Sequence, residues 1–237
     1  MTSKLSVLIY GCCGGVGRHL VSAFRLKGWA VIGCDLAKCE GPDTFVHMES
    51  ATLMEQGQQL QKGLQVQAYL GNRGVPLDAI VCMSGGFAMG NLKSATFLDD
   101  AARMIHSSVG PSLVSAVIAQ RHLKPFGTLF LPGAAAALNP TPQTISYGAS
   151  KALVHHLVKS LASEGSGMPE GSKTVGILPT IIDTEANRVA MPDADQSTWT
   201  KLEDIAAFIC SGAADNSGLT NGGLYAFHGS QVSLQEG

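Results

Sequence analysis

A chain of 237 residues, 45% of them hydrophobic, is long enough to enclose one large core, and an α/β sheet of that size commonly forms a single domain, here expected over residues 1–237. Only 14% of the residues are charged, the formal net charge is -2, and no lysine or arginine run stands out, which argues against a nucleic-acid partner. No apolar stretch reaches membrane-spanning length and no small-residue cleavage site follows the first hydrophobic run, so a soluble, unexported, cytoplasmic protein is expected.

In chain order, the apolar run at residues 5–10 reads as a strand that leads directly into Gly11. Gly15, Val16 and Gly17 then open a helical segment reaching Lys27, so Gly11, Gly15 and Gly17 form G-x-x-x-G-x-G between strand and helix. A side chain there would block the tight turn and the approach of a cofactor pyrophosphate to the helix N-terminus. Taken alone, the motif is weak evidence, with a purely structural glycine turn as the alternative. Asp35 ends the second apolar run, 18 residues after Gly17, where a carboxylate can accept hydrogen bonds from an adenosine ribose. A 2′-phosphate would meet like charge at that position, so NADH is expected as cofactor; Lys38 could compensate in part, leaving NADPH possible with lower preference.

Further strand-length apolar runs at residues 45–47, 79–83, 128–131, 174–178 and 224–227 alternate with segments of helical composition. That alternation predicts a Rossmann-type, doubly wound α/β fold: a mostly parallel, seven-stranded sheet with helices on both faces. Ser84, Gly85 and Gly86 follow one strand at the carboxyl edge of the sheet, where small residues admit a cofactor, or form a generic turn. Residues 97–123 read as one long helix bending at Gly110 and Pro111.

The strongest local signal is Tyr147-Gly148-Ala149-Ser150-Lys151 on a helix expected over residues 146–162. The spacing puts phenol and ammonium one turn apart on one face. A free tyrosine has a pKa of about 10, and a neighbouring ammonium is expected to favour the phenolate and bring that value towards neutrality. A surface tyrosine beside an exposed lysine is the alternative. His155 and His156 have no acidic or thiol partner at ligand spacing and read as helix-surface or interface residues, so no metal is expected. The polar stretch at residues 183–198 is expected to form a mobile covering loop, and Thr200 with Glu203 reads as a capping box. The six cysteines, lacking any CxxC pair, are expected to be reduced; Cys34 and Cys39 read as a weak ligand pair, and Cys12 and Cys13 as small packed side chains in the turn.

The chain resembles the short-chain dehydrogenases/reductases and, within them, the dihydropteridine reductases. The match runs through Ile145-Ser146-Tyr147-Gly148-Ala149-Ser150-Lys151, Ser166-Gly167-Met168-Pro169, Leu178-Pro179, Asp183-Thr184, Asn187-Arg188 and Met191-Pro192-Asp193-Ala194-Asp195. The resemblance implies NADH-dependent reduction of quinonoid dihydropterin (dihydrobiopterin) to tetrahydropterin by a homodimer. It makes Tyr147 and Lys151 the catalytic pair and carries Pro179 and Thr184 onto the loop that grips the nicotinamide, with Lys151 also holding the nicotinamide ribose. Phe87 falls beside the pterin, where those reductases usually have tryptophan, and Asn187 is a polar contact to substrate. Most family members place a carbonyl-clamping serine about 13 residues before the tyrosine; Ala134 stands there instead, and Ser108 replaces the usual helix asparagine. Losing such a donor costs roughly 2.7 to 4 kcal/mol of barrier, so carbonyl reduction is expected to be poor. The competing readings are a carbonyl or alcohol dehydrogenase of the same family and a non-catalytic NAD(H)-sensing regulator, since fold alone does not fix function.

Overall fold

In the computed structural model, which describes residues 4–49, 52–69 and 76–235, strand β1 (Ser6–Tyr10) is buried at every position. A strand without polar alternation needs cover on both faces. It has that cover, because Leu8 and Tyr10 join one apolar cluster while Val7 and Ile9 join another. The chain continues through α1 (Gly15–Leu26), β2 (Ala30–Asp35), β3 (Thr44–His47), α2 (Leu53–Tyr69), β4 (Leu77–Cys82), α3 (Phe97–Met104), α4 (Gly110–His122), β5 (Leu123–Pro132) and α5 (Ile145–Ala162). It ends with β6 (Lys173–Pro179), α6 (Glu185–Ala190), α7 (Leu202–Ala214), β7 (Leu224–His228) and β8 (Gln231–Gln235).

The strands form one sheet in the order β3-β2-β1-β4-β5-β6-β7-β8. Every pairing is parallel except the last, β7 with β8. The winding direction reverses between β1 and β4, and in open α/β sheets ligands bind at the carboxyl ends of the strands that flank such a switch. On one face α1 buries Gly17, Leu20, Val21 and Phe24 at helical spacing beside Ile205 and Ile209 of α7. The other face takes Val114 and Ile118 of α4 with Val154 and Val158 of α5. Each such aliphatic or aromatic side chain contributes about 1.5 to 3 kcal/mol on burial. Among the described residues, no helix is long and apolar enough to cross a membrane.

Among the described residues the sheet holds eight strands where seven were expected. Strand β8 alternates polar and apolar residues and lies exposed at the sheet edge, joined to β7 by a tight turn in which Gly229 takes φ 58°. The long helix is not a simple bend at Gly110 and Pro111: a π-helical turn, Ile105–Val109, separates α3 from α4. Pro111 has no N–H for the Ser107 carbonyl and crowds it, and the Ser84 hydroxyl donates to that carbonyl at 3.3 Å. Residues 183–198 contain α6 and a short 3-10 turn, Gln196–Thr198, each begun by a side-chain cap from Thr184 or Asp195. Thr200 is not a cap: α7 begins after Lys201, and the Thr200 side chain is buried, with its hydroxyl bonded to the Phe227 carbonyl.

The cysteines also depart from expectation. Cys13 and Cys39 form a disulfide, while Cys12, Cys34, Cys82 and Cys210 are free and buried. Cys34 therefore does not pair with Cys39. A separation of 26 residues along the chain hides a contact that the β1–β2 pairing creates.

Candidate active site

At the switch point the glycine turn and the end of β4 lie against each other. Gly11 has φ +85°, and a Cβ added there would stand 2.8 Å from the Ser84 amide nitrogen; one on Gly17 would overlap the Gly11 carbonyl. Both positions therefore need glycine. Helix α1 starts with Gly14 as an N-cap that has no side-chain cap bond, and no acid lies in its first turn. Its leading amides can therefore serve an anion. Across from them, a Cβ on Gly15 would meet Thr184 Cγ2 at 3.5 Å, so the loop after β6 reaches over the start of α1. A cradle that side chains would fill, rimmed by uncapped amides, fits a dinucleotide pyrophosphate. Val16 packs on the core behind it, and Pro179 ends β6 in register with Phe227.

Asp35, at the end of β2, accepts the Cys13 N–H at 2.8 Å on one oxygen and the Ala37 N–H at 3.1 Å on the other. The carboxylate is thereby fixed beside the glycine turn. On the far side of β1, Ser84, Gly85 and Gly86 run beneath the π turn. A Cβ on Gly85 would meet Lys151 Nζ at 3.1 Å and Ser108 Oγ at 3.4 Å, and Gly86 N–H donates to Ser108 Oγ at 3.5 Å.

Tyr147 and Lys151 lie on α5 as the spacing requires. Phe87 packs edge-on against the Tyr147 ring, with centroids 5.0 Å apart at 67°, and is itself 57% exposed. Lys151 is buried; its ammonium donates to the Pro132 carbonyl at 2.8 Å and lies 5.8 Å from the Tyr147 ring centroid. The expected lowering of the tyrosine pKa is not found: burial pushes the Tyr147 phenol up. Burial also pushes Lys151 down to about 8, against an opposing influence of Cys82. Burial thus favours the protonated phenol, while the Lys151 ammonium is anchored on the Pro132 carbonyl.

His155 is not a surface residue. It is buried one turn beyond Lys151, and its Nε2 accepts the Ala134 N–H at 3.2 Å. A Cβ on Gly133 would fall 2.6 Å from that nitrogen, so the glycine makes room for the ring. Burial first, then Lys151 and Lys159, press His155 down to about 4 and keep the ring a neutral acceptor. Lys151 and His155 thus clamp the two ends of Pro132-Gly133-Ala134 from one helix face. The signal in the sequence was His155 four residues after Lys151, in phase with buried Val154 and Val158; His156, one position on, is exposed.

Ala134 is buried at 2% exposure. The Asn187 side chain donates to the Ile182 carbonyl at 2.8 Å, and its backbone N–H goes to the Thr184 hydroxyl. Asp183 and Arg188 close the same loop through two hydrogen bonds of 2.6 and 2.7 Å. A separate concavity of about 510 Å³, lined by Thr180, Trp199 and His228 among others, includes neither Tyr147 nor Phe87.

Residues 5–195 match the family described as short chain dehydrogenase. The chain is 35% identical over 223 residues to a dihydropteridine reductase of Dictyostelium discoideum, covering 94% of each. Its fold matches a short-chain dehydrogenase/reductase from Serratia marcescens BCRC 10948 with a TM-score of 0.77 at 23% identity, covering 95% of this chain and 97% of that one. It also matches the crystal structure of BdcA in complex with NADPH, with a TM-score of 0.76 at 22% identity over 98% and 96% of the two chains. With a family match across most of its length and a relative aligned nearly end to end, the chain belongs to the short-chain dehydrogenase/reductase family of oxidoreductases.

Proposed function

We propose that the protein reduces quinonoid dihydropterin to tetrahydropterin with NADH, with Tyr147 and Lys151 as its catalytic pair. The observation that carries this reading is the Tyr147 phenol, kept protonated by burial and flanked by the exposed Phe87 ring, with no hydroxyl at position 134. The relation to the Dictyostelium discoideum reductase supports it. A bound nicotinamide supplies a hydride. Tyr147 delivers the proton that completes the reduction, and Lys151 anchors the nicotinamide ribose while its hold on Pro132 keeps α5 against β5. Phe87 offers the pterin an apolar ring, and Asn187 a polar contact. Gly11, Gly15, Val16 and Gly17 shape the pyrophosphate site, Ser84, Gly85 and Gly86 border the nicotinamide half, and Pro179 with Thr184 grips the carboxamide. Asp35 selects NADH by accepting ribose hydroxyls and repelling a 2′-phosphate.

The assembly we propose is a two-fold homodimer of this single-domain chain in the cytoplasm. Ile105, Leu113 and Val117 around α4 and Leu153 on α5 are exposed apolar side chains suited to a self-complementary face. Light scattering at micromolar concentration should give twice the chain mass; a monomer removes the dimer from the proposal. The activity test follows NADH oxidation with freshly generated quinonoid dihydrobiopterin beside a panel of ketones and aldehydes. The pterin should react far faster, and ketone turnover of equal efficiency would leave only the dehydrogenase family standing.

A further inference from the structure

Three sulfurs meet in the cofactor turn, and the proposed chemistry uses none of them. Cys13 and Cys39 form the disulfide, and Cys12 Sγ lies 3.9 Å from each of their sulfurs. The cluster joins two parts of the chain that face the adenosine end of the site: the glycine turn after β1 and the loop after β2. Cys13 belongs to both. Its amide donates to the Asp35 carboxylate, and its sulfur is bonded to the loop that begins just beyond Asp35. Gly33 of β2 leaves room for both, since a Cβ there would touch Cys12 Sγ of the turn at 2.7 Å and Pro42 Cγ of the loop at 2.5 Å.

We propose that Cys13–Cys39 is a reversible modification site, opened by a dithiol reductant, whose state sets how tightly the adenosine end of NADH is held. The proposal rests on the cofactor placement above. Cys39 is half-buried and Cys13 buried, so the reductant meets Cys39 first. One reductant thiolate attacks the Cys39 sulfur, the Cys13–Cys39 bond breaks, and the Cys13 thiolate leaves and takes a proton. The second reductant thiol then displaces Cys39 as its thiol. Two electrons pass to the protein, which gains two thiols, and the reductant becomes a disulfide. Cys12 does not shuffle the bond, because burial, and then the Asp35 carboxylate, push its thiol up to about 12 and keep it protonated.

With the bond closed, the loop and the Asp35 partners are pre-organised, and a pre-organised site loses less freedom on binding. Opening it frees the loop and weakens NADH binding. Because coupling is reciprocal, NADH must protect the disulfide by the same factor.

The test uses the full chain in oxidised and reduced dithiothreitol, with each thiol state read by alkylation and mass spectrometry. NADH affinity is read by fluorescence titration, without turnover. Reduction should raise the NADH Kd about fivefold or more, and saturating NADH should shift the thiol–disulfide equilibrium towards the disulfide by the same factor. Cys39→Ser should show the weaker affinity in both buffers, whereas Cys12→Ala should keep the ratio between states. Equal affinity in verified oxidised and reduced protein overturns the proposal, as does alkylation of both Cys13 and Cys39 after oxidation, or a Cys39→Ser chain that still responds to dithiol. Failure of NADH to bind either form overturns the cofactor placement and the coupling with it, whatever the thiol map shows.

Discussion

The two ends of the candidate cofactor groove are held together by different means. At the nicotinamide end, one face of α5 reaches into the exit of β5: Lys151 donates to Pro132, His155 accepts from Ala134, and Tyr147 packs on Phe87. Those contacts are noncovalent, largely buried and supplied by one regular helix. At the adenosine end, a short turn and a loop are braced by α1, whose Arg25 donates to the Gly41 carbonyl at 2.8 Å, and they are fastened to each other by the Asp35 carboxylate and a disulfide. The first arrangement fixes proton-handling groups, for which small displacements are costly in rate. The second fixes a binding surface, and its covalent part can be opened. If that division is right, damage at the α5 end should appear in turnover and stability, and damage at the adenosine end in cofactor affinity and choice.

The largest effect should come from Tyr147→Phe. Removing the proton donor should lower turnover by roughly 10²- to 10⁴-fold while NADH affinity stays within about twofold, because the cofactor is held mainly elsewhere. Steady-state rates beside a fluorescence titration check both halves. Near-normal turnover would remove Tyr147 from the chemistry.

His155 gives the next largest effect, and its sign follows from linkage. The folded protein holds the ring at about 4 against an ordinary 6.5. Between those values the unfolded chain binds a proton that the folded chain does not, so stability rises with pH across the window. The stability is fully present above 6.5 and falls by up to ~3 kcal/mol as the pH drops to 4. His155→Gln, which has an amide oxygen to accept the Ala134 N–H, should lose less over that window. His155→Leu leaves the N–H without an acceptor and should be less stable by about 1 to 3 kcal/mol already at neutral pH. Denaturant midpoints at pH 4, 5.5 and 7 separate the three proteins; parallel curves for wild type and His155→Gln would show that the histidine does not govern the acid limb.

How much of this was legible in the sequence depended on whether a feature is local. β1 could be read from the continuous apolar stretch Val7 to Tyr10, and Tyr147 with Lys151 from a spacing that any helix converts into a shared face. The glycine turn was legible because Gly11 and Gly17 meet only backbone close to them in the chain or across one strand pair. β8 was missed because Gln231–Gln235 alternates polar and apolar residues like an exposed segment, and it is one. The break at Pro111 was visible, but not its resolution into a π turn, which depends on a carbonyl partner as distant as Ser84. The pKa argument for Tyr147 reversed for a similar reason: spacing puts phenol and ammonium on one helix face, whereas the burial that raises the phenol belongs to the tertiary structure. Cys13 and Cys39, 26 residues apart, become neighbours only through strand pairing.

Asp35→Ala moves to the adenosine end and should change cofactor choice more than rate. Loss of the ribose hydrogen bonds, and of the charge that opposes a 2′-phosphate, should narrow the preference for NADH over NADPH by about tenfold in kcat/KM. The Cys13 and Ala37 amides also lose their acceptor, so NADH affinity should fall together with the discrimination. Equal kcat/KM for the two cofactors in the unmodified protein would mean that a cation such as Lys38 already offsets the carboxylate.

The smallest effect is expected from Ala134→Ser, and it is the sharpest test of substrate class. Position 134 lies at the exit of β5, with its amide held by His155 and its side chain buried. A serine hydroxyl there adds the donor that a developing alkoxide needs. A well-placed donor can be worth a hundredfold or more in rate, but a buried one has limited freedom to turn towards substrate, so a gain of roughly tenfold at most is expected for ketones. A quinonoid pterin spreads developing charge over a conjugated ring instead of concentrating it on one oxygen as a ketone does. Its reduction should therefore change by less than about twofold, well under the cost of losing one hydrogen bond. Measured side by side, the two substrates distinguish the readings: a large loss of pterin turnover without a gain for ketones would mean that the β5 exit serves the pterin through packing at Ala134, while equal gains for both would mean that the site discriminates by something other than the missing hydroxyl.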